Sequence, residues 1–297
     1  MAETLLLIDA YALIYRAFYA IRELTGPQGQ PVNAIFGFTK MLKKLVADHQ
    51  PTHLAVVFDL GAPRQRLDLL PSYKEHRPPT PPALDAQLPA IRDVLQALGM
   101  PVVELEGEEA DDIIATLARR AAPAGARVLI ASTDKDLLQL VTDGIRIVRP
   151  DSTGASLVDA AAVEARYGVK PEQVVDLLCL TGDAVDNIPG VPGIGEKTAA
   201  ALLQQFGSLD NLLGRLADVQ KPRLREALTA HRDRLRQNRQ LVELRSALTL
   251  PVDWSDLKLQ PPDSDRLAHL YRQFGFKSLL AELQPAAPAT GDLFGGR

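Results

Sequence analysis

Short apolar runs that alternate with helix-like segments are the feature that most constrains the fold of this chain. Four runs have the length of buried strands, and they span residues 5–8, 54–58, 102–105 and 128–131. Segments with helical periodicity lie between and around them, at 11–24, 32–46, 84–98 and 110–121. This alternation predicts an α/β fold with a central, mostly parallel sheet that carries helices on both faces.

Acidic residues stand where the predicted strands end. Asp9 and Asp59 follow the first two runs directly, and Asp134 and Asp136 come shortly after the run at 128–131. An aspartate at a strand-to-helix junction is also a favoured helix cap, so any one of them has a purely structural explanation. Because the carboxyl ends of parallel strands border one crevice, the whole set predicts carboxylates that lie close together.

More acidic residues are expected at the same place. Glu109, Asp111 and Asp112 begin a predicted helix after the strand at 102–105, while Asp183 and Asp186 follow an apolar helix. Crowded carboxylates repel one another unless cations neutralise them, and ligand sets made only of oxygen favour Mg²⁺ or Mn²⁺. The sequence therefore predicts a site for divalent cations.

Other catalytic chemistries lack the residues they need. The five histidines are scattered and Cys179 is the single cysteine, so no zinc-ligand spacing and no internal disulfide are available. No Gly-x-Ser-x-Gly motif is present. With no protein nucleophile in view, we expect water activated by the cations to be the attacking group.

Basic residues are concentrated in one part of the chain. Residues 197–245 contain ten Lys or Arg and five Asp or Glu, a local charge of +5, although the whole chain carries −4. The remainder therefore carries −9. This separation allows one region to follow a phosphate backbone while another concentrates carboxylates.

The basic region begins next to a glycine-rich turn at residues 190–198. The turn resembles a nucleotide-binding P-loop, but Glu196 stands where that motif needs lysine and no strand precedes it. One interpretation is a turn between helices whose backbone amides meet a DNA phosphate. The other is a turn with no role beyond joining two helices.

A second basic segment follows Asp59. Lys74 and Arg77 are three residues apart and would share one helical face, and Tyr73 offers a ring for stacking on a displaced base. The alternative is a solvated surface helix, although Pro71 argues against a straight helix.

At this point the motifs are similar to those of a known family. The similar motifs lie at residues 8–9, 15–18, 57–59, 73–79, 109–112, 134–136 and 182–199. Over roughly residues 4–283 the chain resembles the 5′ nuclease domain of bacterial DNA polymerase I, a relative of the flap endonucleases. The resemblance implies a PIN-like fold and a nuclease that works in DNA replication and repair at 5′ ends, flaps or nicks.

The resemblance also implies roles for individual residues. Asp9, Asp59, Glu109 and Asp111 would hold one Mg²⁺, and Asp134, Asp136 and Asp183 a second, with Asp112 and Asp186 supporting the cluster; Mn²⁺ would substitute. Asp9 and Asp111 would serve catalysis together with the phosphate-binding cations Arg16, Lys74 and Arg77. Arg66 would also engage the phosphate near the cut and Tyr73 would contact the DNA there. Further contacts with DNA would come from a helix-turn-helix (helix-hairpin-helix) that also binds K⁺ and contains Gly190, Gly193, Gly195, Lys197 and Thr198.

The organisation that follows has three parts. Residues 1–170 would form the catalytic α/β domain with a helical arch at about 62–84, residues 171–283 a helical DNA-binding region, and residues 284–297 a flexible tail. The tail sequence Asp292, Leu293 and Phe294 is similar to the end of a sliding-clamp-binding peptide. A DNA polymerase or the clamp is thus an expected partner of a monomeric protein.

The location and the competing functions complete the prediction. One buried cysteine and no apolar run of membrane-spanning length fit the reducing cytoplasm, in association with the nucleoid. Two other functions remain open: a catalytically idle protein that binds branched DNA, and a nuclease directed at RNA with a similar acidic site.

Overall fold

A computed structural model of the chain describes residues 3–150 and 155–283. The strands are β1 (Thr4–Asp9), β2 (His53–Val57), β3 (Val102–Val103), β4 (Arg127–Ala131), β5 (Ile145–Pro150), β6 (Ala155–Val158), β7 (Gly182–Asp183) and β8 (Ile188–Pro189). The helices of the first half are α1 (Ala10–Ala20), α2 (Asn33–His49), α3 (Arg64–Leu69), α4 (Pro82–Asp85), α5 (Leu88–Ala97), α6 (Ala110–Ala121) and α7 (Ala160–Tyr167). Those of the second half are α8 (Val174–Thr181), α9 (Glu196–Phe206), α10 (Leu209–Gly214), α11 (Pro222–Ala230), α12 (Arg232–Val242), α13 (Ser264–Phe274) and α14 (Lys277–Glu282).

Six strands form one sheet in the order β3-β2-β1-β4-β5-β6. All neighbouring pairs are parallel except β5 and β6, which run antiparallel. Strand β1 lies in the middle, and its residues 5–8 are completely buried because both faces of a parallel sheet are covered. The predicted α/β class with a mostly parallel sheet flanked by helices is confirmed.

Helix α6 shows how the sequence places one such helix against the sheet. It packs on β1, β2 and β4, and Ile113, Ile114 and Leu117 are all fully buried. Burial of each of these side chains contributes roughly 1.5–3 kcal/mol. The first turn of α6 carries Asp111 and Asp112, where acidic groups suit the helix dipole.

The described residues divide into two compact units. One comprises residues up to 13, 46–79 and 101–259, and the other comprises 14–45, 80–100 and the residues from 260 onward. The first unit contains every strand. It also contains α8, α10 and α12, which are joined by Arg239 through ion pairs with Asp176 at 2.6 Å and Asp210 at 2.7 Å.

The second unit is helical and is held by buried polar groups. Asn33 donates to the carbonyls of Phe18 and Ile21, both at 2.8 Å, and so satisfies acceptors at the end of α1. Gln87 accepts from the amide of Ala34 at 2.9 Å and donates to Asn33 Oδ1 at 3.0 Å. Since Gln87 is the N-cap residue of α5, one amide network joins α1, α2 and the start of α5.

Several sequence predictions differ from the structure or lie beyond it. The single helix predicted at 84–98 is two helices, because Pro89 has no amide hydrogen to continue the first helix and lies in the first turn of α5. In the predicted arch segment, described residues are helical only in α3 and α4. Among the helices described, none combines the length and apolar character needed to cross a bilayer. The predicted tail and its sequence Asp292, Leu293 and Phe294 lie outside the described residues.

Candidate functional site

Acidic side chains collect at the carboxyl edge of the sheet. Asp9 is the last residue of β1, Asp59 lies two residues beyond β2, and Glu109 is the N-cap residue of α6. Asp59 Oδ1 accepts a hydrogen bond from the amide of Ala110 at 2.9 Å, which ties the end of β2 to the start of α6. The topology thus brings these carboxylates to one edge, as the strand order requires.

A chain of hydrogen bonds joins the ends of the two central strands. The Ser132 hydroxyl donates to Asp9 Oδ2 at 2.7 Å and accepts from the amide of Asp134 at 3.0 Å. The amide of Asp136 in turn donates to Asp134 Oδ1 at 2.8 Å. Ser132 was not singled out in the sequence, although its place one residue after β4 puts it at the same edge as the acids.

Among the residues that the structure describes, three carboxylates lie close enough together to share one cation. One oxygen each from Asp136, Asp183 and Asp186 lies within 4.8 Å of the other two. Asp183 and Asp186 are each 6% exposed. Their positions come from the hairpin of β7 and β8, in which Asp183 pairs with Ile188. Asp186, expected to support the predicted metal ligands, is one of these three residues.

Burial and mutual repulsion shift the acid groups in one direction. Burial, the largest influence, raises the pKa of Asp9 to about 6, against the opposing hydrogen bond from Ser132. The pKa values of Asp111 and Asp136 lie well above the ordinary value, first because of burial and then because of repulsion from Asp134. The pKa of Asp134 is raised as well, again first by burial. The site therefore attracts positive charge.

Basic side chains already neutralise part of this charge. Lys74 forms an ion pair with Glu109 and lies 3.9 Å from Asp186, while Arg77 pairs with Asp186 at 2.6 Å. Burial opposes the charge of Lys74, but the two carboxylates outweigh burial and raise its pKa. Lys135, between the two predicted ligands at 134 and 136, pairs with Asp183 at 3.3 Å.

The segment that carries Lys74 and Arg77 is a series of turns and not the predicted helical face. Lys74 has a φ of 58°, in the left-handed region, and its amide donates to the carbonyl of Asp186 at 3.0 Å. Asn187, with a φ of 57°, donates to the carbonyl of Ser72 at 2.8 Å. Two strained residues thus hold this segment against the acidic cluster.

Tyr73 is placed in the interior and not at a surface that DNA reaches. The residue is 6% exposed, and its ring packs with the core of the first unit. Its hydroxyl donates to Asp186 Oδ2 at 3.0 Å and lies 3.3 Å from both carboxylate oxygens of Glu109. The predicted stacking on a base does not fit this position, and a role in orienting two carboxylates does.

Arg66 and Asp112 are likewise paired inside the protein. Arg66 is 5% exposed and makes two hydrogen bonds to the carboxylate of Asp112, at 2.5 and 3.0 Å. Asp112 is fully buried and also accepts from the amide of Arg245 at 2.8 Å. The oxygens of Asp112 are therefore committed to protein donors. Arg16, by contrast, lies on α1 in the second unit and is partly exposed.

The residues fit divalent cations by the chemistry of their donors. Oδ1 of Asp136 is buried and has no hydrogen-bond partner among the residues that the structure describes. A buried carboxylate oxygen without a partner is costly, and a cation is the partner that a ring of oxygen donors selects. Asp136 is also a member of the cluster with Asp183 and Asp186.

The glycine-rich turn lies between β8 and α9, and the expectation that no strand precedes it is wrong, because the two-residue strand β8 ends directly before Gly190. Gly193 has a φ of +82°, and Gly195 is the N-cap of α9, so that the helix begins at Glu196. A Cβ on Gly190 would lie 2.2 Å from the carbonyl oxygen of Thr181, so that no larger residue fits there. Lys197 is exposed and Thr198 is partly exposed. A groove beside the turn is lined by Pro192, Gly193, Thr198, Lys221, Arg223 and other residues.

The mostly parallel sheet and the carboxylates crowded at its carboxyl edge define the class: an α/β protein with a candidate site for divalent cations. The family described as "5′-3′ exonuclease, N-terminal resolvase-like domain" matches residues 4–168, and "5′-3′ exonuclease, C-terminal SAM fold" matches residues 169–265.

Named relatives agree with these matches. The 5′-3′ exonuclease of Aquifex aeolicus is 38% identical over 281 residues, which cover 95% of both chains. DNA polymerase I of Bacillus caldotenax is 40% identical over 289 residues, or 96% of this chain and 33% of the relative. The chain thus spans about a third of the length of that polymerase. It belongs to the 5′-3′ exonuclease family.

Solved structures show the same fold. The bacteriophage T5 D15 protein co-crystallised with metal ions superposes with a TM-score of 0.69 at 23% identity, covering 95% of this chain and 98% of that one. The catalytic core of Rad2 in complex with DNA substrate gives a TM-score of 0.64 at 19% identity, covering 95% and 93%. Their likeness confirms the PIN-like fold predicted from the sequence.

Proposed function

We propose that this protein hydrolyses phosphodiester bonds of DNA at or near 5′ ends, flaps and nicks. The observation that carries the proposal is the cluster of Asp136, Asp183 and Asp186, in which one buried oxygen of Asp136 has no donor among the described residues. The Aquifex aeolicus relative is named a 5′-3′ exonuclease, and the T5 D15 structures are described with metal ions and DNA. Both descriptions support the same activity here.

We propose two Mg²⁺ ions as the cofactors, with Mn²⁺ as a substitute. Asp9, Asp59, Glu109 and Asp111 would hold one, and Asp134, Asp136, Asp183 and Asp186 the other. When bound, the ions supply charge neutralisation at the phosphate and a reactive water near neutral pH. Asp112 accepts hydrogen bonds from Arg66 with both carboxylate oxygens. It would therefore support the site without offering a free oxygen to a cation.

Lys74 and Arg77 are the groups of the first unit that would receive the phosphodiester. Their side chains are 20% and 44% exposed, so that both reach solvent while they pair with Glu109 and Asp186. A phosphate oxygen can replace a carboxylate as the partner of either cation. Arg16, partly exposed on α1, is proposed as a third phosphate contact.

The second half of the chain is proposed to hold the duplex. Gly190, Gly193, Gly195, Lys197 and Thr198 would meet the backbone through amides and one cation, with K⁺ bound at the turn. On this proposal residues 1–170 carry catalysis, with the arch at about 62–84, and residues 171–283 carry DNA binding. Contacts of this kind are independent of base sequence.

The cellular setting follows from the substrate. We propose a monomeric, nucleoid-associated enzyme of the cytoplasm that works beside a DNA polymerase in replication and repair. The polymerase relatives support this partner, since the match in them covers only part of a longer protein. A sliding clamp is a second proposed partner, through residues 292–294.

A labelled-flap assay tests the activity. DNA with a 5′-labelled flap is incubated with Mg²⁺, with Mn²⁺ or with a chelator, and the product lengths report the polarity and position of the cut. Cleavage is expected with either metal and not with the chelator. A flap that stays intact with Mg²⁺, at protein concentrations where binding is observed, would refute the proposal.

A substitution separates cleavage from binding. Asp111→Asn should abolish cutting and leave flap binding largely in place, because it removes a ligand charge without changing shape. Asp233→Asn is the matched control, since that side chain is 97% exposed on α12. Equal cutting by wild type and Asp111→Asn would refute the site. Faster cleavage of single-stranded RNA than of flap DNA would favour the RNA-directed alternative.

A further inference from the structure

Arg66 is buried at the junction of three elements. The residue is only 5% exposed, and arginine is rarely buried without a specific partner. Its guanidinium binds Asp112 through two nitrogens and pairs with Glu109 Oε2 at 2.7 Å. The remaining nitrogen, Nε, donates to the carbonyl of Leu241 at 3.0 Å. One side chain of α3 thus contacts the start of α6 and the end of α12.

Helix α12 is itself fixed to the glycine-rich turn. Asn238, which is 1% exposed, donates to the carbonyl of Pro189 at 2.8 Å and to that of Cys179 at 3.0 Å. Pro189 ends β8 and directly precedes Gly190. A continuous set of polar contacts therefore runs from the turn, through α12 and Arg66, to Glu109 at the acidic edge.

We propose that Arg66 is a positioning residue that sets where the enzyme cuts, because it fixes the distance between the duplex-holding turn and the acidic centre. This inference rests on the proposed function, and it replaces the phosphate contact that the family resemblance implies for Arg66. The duplex would be held at the turn, and the bond to be cut would be the one presented to the acidic centre. The spacing between the two then determines which bond is cut.

The fork of arginine is what the position requires. Its planar guanidinium reaches Asp112, Glu109 and the Leu241 carbonyl at once, whereas a lysine ammonium has no fork that can span them. Lysine at position 66 keeps the positive charge but cannot contact all three partners at once. Arg66→Lys therefore tests position separately from charge.

The first experiment measures product lengths, kcat and KM with active enzyme. The affinity for flap DNA is measured separately, in a cleavage-inactive background. For Arg66→Lys we expect kcat to fall by about tenfold to a hundredfold and the cuts to spread over neighbouring bonds. DNA affinity should stay unchanged. Cuts at the wild-type position with the wild-type kcat would overturn the inference.

A double variant with neutral side chains at positions 66 and 112 distinguishes a positioning role from a phosphate contact. It remains informative if Arg66→Lys does not fold. In R66M/D112N no unpaired charge is left at Asp112, and the asparagine oxygen can still accept from Arg245. A phosphate contact would lower the slope of log affinity against log salt by about one, while a buried residue leaves the slope unchanged. A reduced slope with the cut position retained would overturn the inference.

A structural control comes from the other end of α6. Arg120 donates to the carbonyl of Leu248 at 2.5 Å and so also joins α6 to the chain that follows α12. Arg120→Met should lower the melting temperature without spreading the cuts. If the Arg66 variants lose stability in the same way and still cut at one position, the role is structural only and the inference fails. A wild type that does not cut would instead refute the proposed function.

Discussion

Removal of divalent metal should make the folded protein less stable as the pH rises, and Asp9 allows the size of this effect to be worked out. The pKa of Asp9 is raised from 3.8 to about 6 by burial. The unfolded chain therefore releases this proton at a lower pH than the folded protein does. Raising the pH between the two values favours unfolding, and the loss persists above the folded value.

The magnitude follows from the pKa difference. A rise from 3.8 to about 6 corresponds to roughly 3 kcal/mol of stability that is present below the unfolded pKa and lost above the folded one. Asp111, Asp134 and Asp136 are shifted in the same direction, so the total effect in the metal-free protein exceeds that of Asp9 alone. Bound cations remove the penalty.

The assay compares wild type with Asp9→Asn by urea unfolding in chelator, monitored by circular dichroism. At about pH 8 the variant should be more stable than wild type by roughly 3 kcal/mol, and the advantage should shrink toward about pH 4. Asparagine can still accept from the amide of Ala12 and bond to the Ser132 hydroxyl, so the packing is retained.

Added Mg²⁺ should stabilise wild type more than the variant, because it binds the folded state. The comparison of two proteins at each pH cancels the contributions of groups that do not interact with Asp9, whereas the penalty on Asp111, which Asp9 repels, is also reduced in the variant. An Asp9→Asn protein that is no more stable than wild type at high pH, or whose advantage does not change with pH, would refute the electrostatic argument.

Three further outcomes are expected. Gly190→Ala should destabilise the protein by at least about 3 kcal/mol in urea unfolding, because its Cβ would meet the Thr181 oxygen at 2.2 Å; a loss under about 1 kcal/mol would contradict the geometry of the turn. Replacing both Lys221 and Arg223 with alanine should lower the salt slope of flap binding by up to about two, as measured by fluorescence anisotropy, and an unchanged slope would remove their groove from the DNA surface. Cys179 of α8 is buried, and burial is the first cause that raises its pKa to about 12. The native protein should therefore resist thiol reagents at mildly alkaline pH and react only after unfolding. Rapid labelling of the native protein would show that α8 opens.

The central part of the fold was predictable because its signals are local. The runs at 5–8, 54–58 and 128–131 are apolar throughout, as strands covered on both faces must be, and the structure has strands there. Helix α6 begins and ends at the predicted residues, since acids open it and apolar residues recur at helical spacing.

The sheet edge was not predictable from the same pattern. Strand β5 carries Arg146 and Arg149 among its apolar residues, and β6 has one partly buried and three exposed residues. Such strands lack a continuous apolar run. The hairpin of β7 and β8 has only two residues in each strand, and long-range packing decides its form.

The candidate site shows where a linear sequence stops being informative. The sequence indicates which carboxylates share an edge, but it does not distinguish a basic residue that faces DNA from one that is buried against an acid. Arg66 and Lys74 belong to the same basic segment, yet one is buried with Asp112 and the other reaches solvent. The left-handed backbone of Lys74 has no signature in residue type, because lysine rarely adopts it.

The wide spacing of the acidic cluster along the chain has a consequence for biosynthesis. Asp136 is made long before Asp183 and Asp186, which depend on the hairpin of β7 and β8 to reach it. A nascent chain that has not yet emerged beyond β8 can form much of the sheet without assembling the cluster, since domains fold as their parts leave the ribosome. The proposed nuclease activity is thus acquired only after the chain as far as β8 has been made.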